Sequence, residues 1–209
     1  MDNSSDLVRK GYNQLANVYH NWAEAVRVAE REKYLTKIDQ SFSEGSRILD
    51  IGCGNGLLNT QRMANKFDVI GMDISERQIC EAHENLPKSK FICADIQHYE
   101  FDQNSFDGIV SFYCFNHIPR NAYSKLFGKF HQWLMADGLL IASFGIGDTE
   151  GWTGEWLGTE MFFSSYEKSK TISLFKQNGF MIEDANIETT LEDGVEISFL
   201  WITARNKKP

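Results

Sequence analysis

The stretch Ile48-Leu49-Asp50-Ile51-Gly52-Cys53-Gly54-Asn55-Gly56 constrains the fold more than any other part of the chain. An apolar β-forming run passes directly into three alternating glycines. Glycine tolerates left-handed backbone, so such a segment turns a buried strand sharply into a helix and lets backbone pass close to a ligand at the edge of an open α/β sheet. The spacing is Gly-x-Gly-x-Gly. The dinucleotide fingerprint is Gly-x-Gly-x-x-Gly, with an apolar residue where this chain has Asp50. A carboxylate there suits a cationic group, such as an α-amino group, better than a pyrophosphate.

Around this loop the pattern repeats. Short β-rich runs at Arg47–Ile51, Phe67–Met72, Phe91–Ala94, Asp107–Phe112 and Leu139–Phe144 alternate with helical ones. Ser75-Glu76-Arg77-Gln78 reads as a capping box opening a helix through Asn85, and Ala122, Leu126, Phe127, Phe130, Trp133 and Leu134 form a broad amphipathic face. Strand and helix in alternation predict βαβ units and a parallel sheet covered on both faces. Before it, from Asp6 to about Asp39, Tyr12, Leu15, Tyr19, Trp22 and Val26 recur at helical spacing. After it come a glycine- and tryptophan-rich segment, Gly145 to Gly158, and a helical stretch at Tyr166–Gln177. Two β-rich runs follow, Phe180–Ile187 and Val195–Ala204, joined by Glu192-Asp193-Gly194. That turn predicts a hairpin and an antiparallel strand at the end of the sheet.

With 209 residues, 42% apolar and 13% aromatic, the chain has material for one domain with a substantial core. The net charge of −8 and the lack of a basic block beyond Lys207-Lys208 argue against nucleic-acid or anionic-membrane partners. Gly138 to Gly147, the longest uncharged apolar stretch, is too short to span a bilayer. Met1 to Asp6 is polar with no apolar run behind it, so no secretory signal is expected and the default placement is cytoplasmic. Cys53, Cys80, Cys93 and Cys114 include no CxxC pair and are expected to be reduced, buried small residues. No His/Cys/Asp/Glu grouping has metal-ligand spacing, so no metal is expected.

Two further acids stand at predicted strand ends. Asp73 closes the second strand about twenty residues beyond the loop, where an acid accepts from ribose hydroxyls. Asp95 closes the third, where it can accept from an exocyclic amine. Either alone is equally well a helix N-cap or a solvated strand end; with Asp50, they would share the carboxyl edge of one sheet.

These motifs resemble the class I S-adenosylmethionine-dependent methyltransferases. The resemblance runs through Leu-Asp-Ile-Gly-Cys-Gly-Asn-Gly, Gly-Met-Asp-Ile-Ser, Ala-Asp-Ile, Phe-Asp-Gly-Ile-Val-Ser and Trp-Leu-Met-Ala-Asp-Gly-Leu-Leu-Ile, with Ala136-Asp137-Gly138 where the family usually has Pro-Gly-Gly. Tyr12-Asn13-Gln14-Leu15-Ala16 and Tyr19 look like its small-molecule branch, and Gly179-Phe180 fits before the sixth strand. It implies a Rossmann-like, seven-stranded, mostly parallel sheet with a C-terminal antiparallel hairpin strand and helices on both faces. The whole chain, 1–209, would be one methyltransferase domain. Within it, 1–45 would form an N-terminal helical cap, 46–144 the cofactor-binding core, and 145–209 a lid segment and substrate-side hairpin. The implied reaction is methyl transfer from S-adenosyl-L-methionine, leaving S-adenosyl-L-homocysteine, to a small molecule. A non-catalytic regulatory module that binds the same cofactor is the alternative, and an NAD-dependent oxidoreductase is disfavoured by Asp50 and the glycine spacing.

By position, the resemblance places Asp73 on the ribose diol, Ile74 on the adenine face, and Asp95 with the Ile96 amide on the adenine edge. Gly52, Cys53 and Gly54 would line the methionine moiety with Asp50 near its ammonium, and Tyr12 and Tyr19 would cover its end. Simple core packing of a helix accounts equally for the two tyrosines. His117 and Tyr19 are the catalytic candidates, although a loop carbonyl as the partner of His117 is the preferred reading. Gly147 to Phe163, with its four glycines and its aromatics, is expected to form a mobile cover with the N-terminal helix.

Overall fold

A computed structural model describes residues 4–192 and 194–208. The elements in order are α1 (Ser4–Ala25), α2 (Val28–Ser41), β1 (Arg47–Ile51), α3 (Thr60–Ala64), β2 (Asp68–Asp73), α4 (Glu76–Asn85), β3 (Lys90–Cys93) and β4 (Phe106–Ser111). After them come α5 (Tyr123–Trp133), β5 (Leu134–Phe144), β6 (Trp152–Trp156), β7 (Thr159–Phe163), α6 (Lys168–Gln177), β8 (Phe180–Glu192) and β9 (Val195–Asn206). The main sheet is seven-stranded with order β3-β2-β1-β4-β5-β9-β8. Strands β3 to β5 pair in parallel, and β9 runs antiparallel to both β5 and β8.

Period-two alternation sends residues of each strand to opposite faces. Ile48, Val110, Ile141, Phe199 and Trp201 pack with Tyr34, Leu35 and Ile38 of α2 on one face. Leu49, Ile109, Leu140, Leu200 and Ile202 pack with Phe127 and Phe130 of α5 and Phe175 of α6 on the other. Both faces are covered, which is why the strands read as nearly continuous apolar runs.

Several elements differ from the sequence reading. The N-terminal helical stretch is two helices, because Arg27 takes a left-handed conformation (φ 54°) between them. Ser75 caps α4 by accepting from the Gln78 N–H at 3.1 Å, but the reciprocal half of the box is absent: Asp73 Oδ1, not Gln78, accepts the Ser75 N–H. The segment expected as a glycine-jointed cover is a β-hairpin, β6–β7, forming its own two-stranded sheet. The terminal hairpin is longer than expected, and Asp193 of its turn lies outside the described residues. Of the four cysteines expected to be buried, Cys80 and Cys93 are exposed, since β3 is an edge strand and Cys80 sits on the outer side of α4. His131 packs against the backbone at Gly179, with its Cε1 2.7 Å from where a Cβ would stand.

Candidate functional site

The glycine loop is held open by its own backbone. Gly52, Gly54 and Gly56 all have positive φ (77°, 56° and 81°). The N–H groups of Gly52 and Cys53 both donate to the Met72 carbonyl near the end of β2, at 2.7 and 3.1 Å. A Cβ on Gly52 would lie 2.7 Å from the Cβ of Cys114, so conformation and space both demand glycine there.

Asp73 ties β2 to this loop: its Oδ2 accepts the Gly54 N–H and its Oδ1 the Ser75 N–H, both at 2.9 Å. Burial raises its pKa against the pull of these amide bonds. Asp95 Oδ1 accepts the Gln97 N–H at 2.9 Å, and its Oδ2 accepts the Ser5 hydroxyl of α1 at 2.7 Å. A carboxylate oxygen has two acceptor sites, so both residues keep capacity for further donors. Asp73, Ile74, Asp95 and Ile96 line a compartment of about 80 Å³, with Ser5 and Val8 of α1 as its cover. Asn13 and Arg9 hold α1 in place: Asn13 Oδ1 accepts from the Ser75 hydroxyl at 2.6 Å, and Arg9 pairs with Glu76 at 3.0 Å.

A second cavity, of about 380 Å³, opens on the other side of the loop. Tyr12, Tyr19, His117, Gly52 and Gly54 border both spaces, so the two meet at the glycine loop. Cys53, Trp22, Trp156, Phe199, Arg27 and Arg31 line the larger one alone, and Tyr113 borders both. Asp50 borders neither. It is 1% exposed beneath the loop, where Oδ2 accepts the Thr60 hydroxyl at 2.6 Å and Oδ1 has no partner among the described residues. Desolvation pushes its pKa up to about 7, with the Thr60 hydrogen bond opposing.

At the boundary Tyr12 Oη lies 3.0 Å from His117 Nε2, and His117 Nδ1 lies 2.9 Å from the Phe162 carbonyl. A carbonyl only accepts, so Nδ1 carries a hydrogen; with the ring neutral, Nε2 accepts the Tyr12 hydroxyl hydrogen. Neutrality follows from burial, which lowers the His117 pKa to about 4 against the opposing Phe162 bond. The expected carbonyl partner of His117 is thus present, and a second, Tyr12, joins it. Tyr19 instead meets Tyr12 ring edge to face at 5.2 Å between centroids. Burial pushes the Tyr19 pKa up to about 12 and that of Tyr12 well above its ordinary value. Trp156 of the β6–β7 hairpin packs on Trp22 (5.2 Å) and Tyr19 (6.0 Å), closing one wall with aromatic edges.

Arg27, Arg31 and Tyr113 were not singled out from the sequence. The spacing of the two arginines, one helical turn apart, was a weak signal, but nothing local marks the left-handed break that carries them to the cavity. Tyr113 is likewise left-handed (φ 57°), its N–H held by the Ser143 hydroxyl at 2.7 Å. Among the described residues no group of three or more His, Cys, Asp or Glu is placed to hold a metal ion, and no helix is long and apolar enough to cross a membrane.

Residues 48–138 match the family model described as "Methyltransferase domain". Over 158 residues the chain is 28% identical to the sterol 24-C-methyltransferase erg6 of Schizosaccharomyces pombe, covering 65% of this chain and 41% of that one, so it spans less than half of that relative's length. A crystal structure of an S-adenosylmethionine-dependent methyltransferase from Methanosarcina mazei superposes with a TM-score of 0.73 at 18% identity, over 82% of this chain and 97% of that one. The 1,6-didemethyltoxoflavin-N1-methyltransferase of Burkholderia thailandensis, solved with 1,6-didemethyltoxoflavin and S-adenosylhomocysteine, also gives 0.73, at 16% identity over 96% and 87% of the chains. Residues 48–138 thus match a methyltransferase domain, and the strand order and fold of the chain are similar to those of solved S-adenosylmethionine-dependent methyltransferases.

Proposed function

We propose that the protein transfers a methyl group from S-adenosylmethionine to a small-molecule acceptor bound in the larger cavity. The observation that carries this reading is the meeting of two compartments at Gly52–Gly54, one bordered by Asp73 and Asp95, the other by aromatic walls. In this reading Asp73 holds the ribose hydroxyls, Ile74 the adenine face, and Asp95 with the Ile96 amide the adenine edge. Gly52, Cys53 and Gly54 flank the methionine end, Tyr12 and Tyr19 cover it, and Asp50 supports the loop from beneath through Thr60. The free acceptor sites on Asp73 and Asp95 fit a ligand bearing hydroxyl and amine donors. When bound, the cofactor supplies an electrophilic methyl group on a sulfonium.

The chain's own part is positioning, exclusion of water and handling of a proton. The compartment, at about 80 Å³, is smaller than a nucleoside, so seating one requires α1, tied there by the Ser5–Asp95 bond, to shift outward. Where the acceptor is an alcohol, phenol or amine, its proton passes to the Tyr12 oxygen as the Tyr12 hydrogen passes to His117 Nε2. Nε2 is the ring nitrogen open to accept it, because Nδ1 is already committed to Phe162.

Calorimetry with S-adenosylhomocysteine, S-adenosylmethionine and NAD, together with transfer of labelled methyl into a small-molecule extract, tests the proposal. Binding of the first two, little of NAD, and label in low-molecular-weight product are expected. Comparable NAD binding would refute it, and cofactor binding with no transfer to any acceptor would mark a regulatory module instead.

A further inference from the structure

We infer that the acceptor is an anion, a small and largely planar apolar acid whose carboxylate or phosphate is held by Arg31; this rests on the proposed methyl transfer. Arg27 is the left-handed residue that precedes α2, and Arg31 lies in the first turn of that helix. Both border the larger cavity, and both are buried, at 9% and 8% exposure.

Their partners differ. Arg27 is ion-paired with Glu192, and its guanidinium lies over the rings of Tyr113 and Phe199, 4.5 and 4.1 Å from their centroids. The Arg31 side chain makes, among the described residues, one hydrogen bond, to the Val26 carbonyl at a long 3.4 Å, and has no acidic side chain in ion-pair reach. Its neighbour Glu30 is committed elsewhere, accepting from the Trp201 indole and, at 3.0 Å, from the Thr190 hydroxyl.

A buried guanidinium cannot shed its proton and is costly to leave unpaired. This one also stands at the positive end of a helix, where a cation is disfavoured and an anion favoured. Two left-handed non-glycine residues, Arg27 and Tyr113, shape the adjoining wall and touch each other there. Backbone held in such a conformation is concentrated where a ligand is gripped. The charge left unmatched on the wall is positive, so a cationic amine is the wrong complement. A carboxylate or phosphate supplies two oxygens to the guanidinium fork. Tyr113, Phe199, Trp22 and Trp156 supply flat apolar surface for the rest of the molecule.

The test titrates the protein, with and without saturating S-adenosylhomocysteine, with benzoate, phenyl phosphate, benzamide and benzylamine. At least one of the two anions should bind roughly tenfold or more tighter than benzamide, as expected for charge-assisted hydrogen bonds, with benzylamine weakest. Which anion binds tighter tells carboxylate from phosphate. Arg31→Gln should erase the preference while leaving S-adenosylhomocysteine affinity unchanged, and Arg31→Lys should keep part of it, having charge without the fork. Benzamide binding as tightly as both anions, no measurable binding of either anion, or a preference that survives Arg31→Gln would overturn the inference. Should Arg31→Gln not fold, the wild-type ratios decide it alone. An anion preference in a protein that fails to bind S-adenosylhomocysteine would instead sink the methyltransferase proposal and leave the anion site standing.

Discussion

Asp73 serves two purposes at once, which makes its replacement informative. It orders the glycine loop through Gly54 and starts α4 through Ser75, and it has acceptor capacity left over for a ribose. Asp73→Ala is expected to weaken S-adenosylhomocysteine binding by roughly 1.5–3 kcal/mol, the range for charge-assisted hydrogen bonds. The circular dichroism spectrum should be unchanged, because a strand-end carboxylate is not core; calorimetry and spectroscopy on one sample check both. Asp50 makes a prediction about pH. Its folded-state pKa, about 7, is above the ordinary carboxylate value, so the folded protein holds a proton that the unfolded chain releases. Its contribution is therefore fully present below about pH 4 and lost as pH rises to 7, with each step of one pH unit inside that window removing roughly 1.4 kcal/mol. His117 acts in the opposite sense over a similar window: its depressed pKa makes its contribution present above about 6.5 and lost as pH falls towards 4. Asp50→Asn still offers Thr60 an acceptor. Relative to wild type, urea melts at pH 4.5 and 7.5 should show the variant gaining stability at the higher pH. An equal difference at both pH values would mean that Asp50 is ionised in the fold.

At the scale of elements, α1 covers both compartments and the β6–β7 hairpin walls the larger one. They pack on each other: the Thr159 hydroxyl donates to Gln14 at 2.7 Å, and Met161 fills the space beside Gly11, its Sδ 2.6 Å from where a Cβ would stand. They are joined to the rest of the molecule largely by polar contacts, among them Ser5–Asp95, Asn13–Ser75, Arg9–Glu76, Tyr12–His117 and His117–Phe162. Such contacts at a half-buried seam open more readily than a packed strand. Hydrogen exchange should therefore show residues 4–25 and 147–163 gaining protection when S-adenosylhomocysteine binds, while Arg47–Ile51 stays protected throughout. Full protection of both segments without the ligand would make them a fixed wall, not a cover.

For the molecule as a whole, the proposed cofactor cleft lies between the sheet's carboxyl edge and that cover, so a ligand seated there would bridge them. A ligand bound only by the folded state stabilises it by about 2.7 kcal/mol at a hundred times its Kd. For a chain of this size that corresponds to a rise in Tm of roughly 5–10 °C. Thermal melts with S-adenosylhomocysteine at that excess should show the rise, and NAD at the same concentration should leave Tm unmoved.

What could be read from the sequence was what depends on neighbours along the chain. Alternating apolar residues set the strands and their two faces. Glycines at 52, 54 and 56 marked the turn because side-chain-free backbone is a local requirement. Asp73 and Asp95 were legible because a strand end places them on one edge whatever else packs there. The tertiary structure alone decided the rest, since it turns on residues distant in sequence. Asp50 reads as a ligand contact by position, yet Thr60 draws it beneath the loop. His117 gains its tautomer from Phe162 and its partner from Tyr12, 45 and 105 residues away. The glycine- and aromatic-rich segment became a hairpin because Met161 is buried against α1, a contact no local propensity reports. Arg31 is ordinary in the sequence; it becomes a buried cation facing a cavity only because Arg27 breaks the helix and Glu30 is held by Trp201 and Thr190.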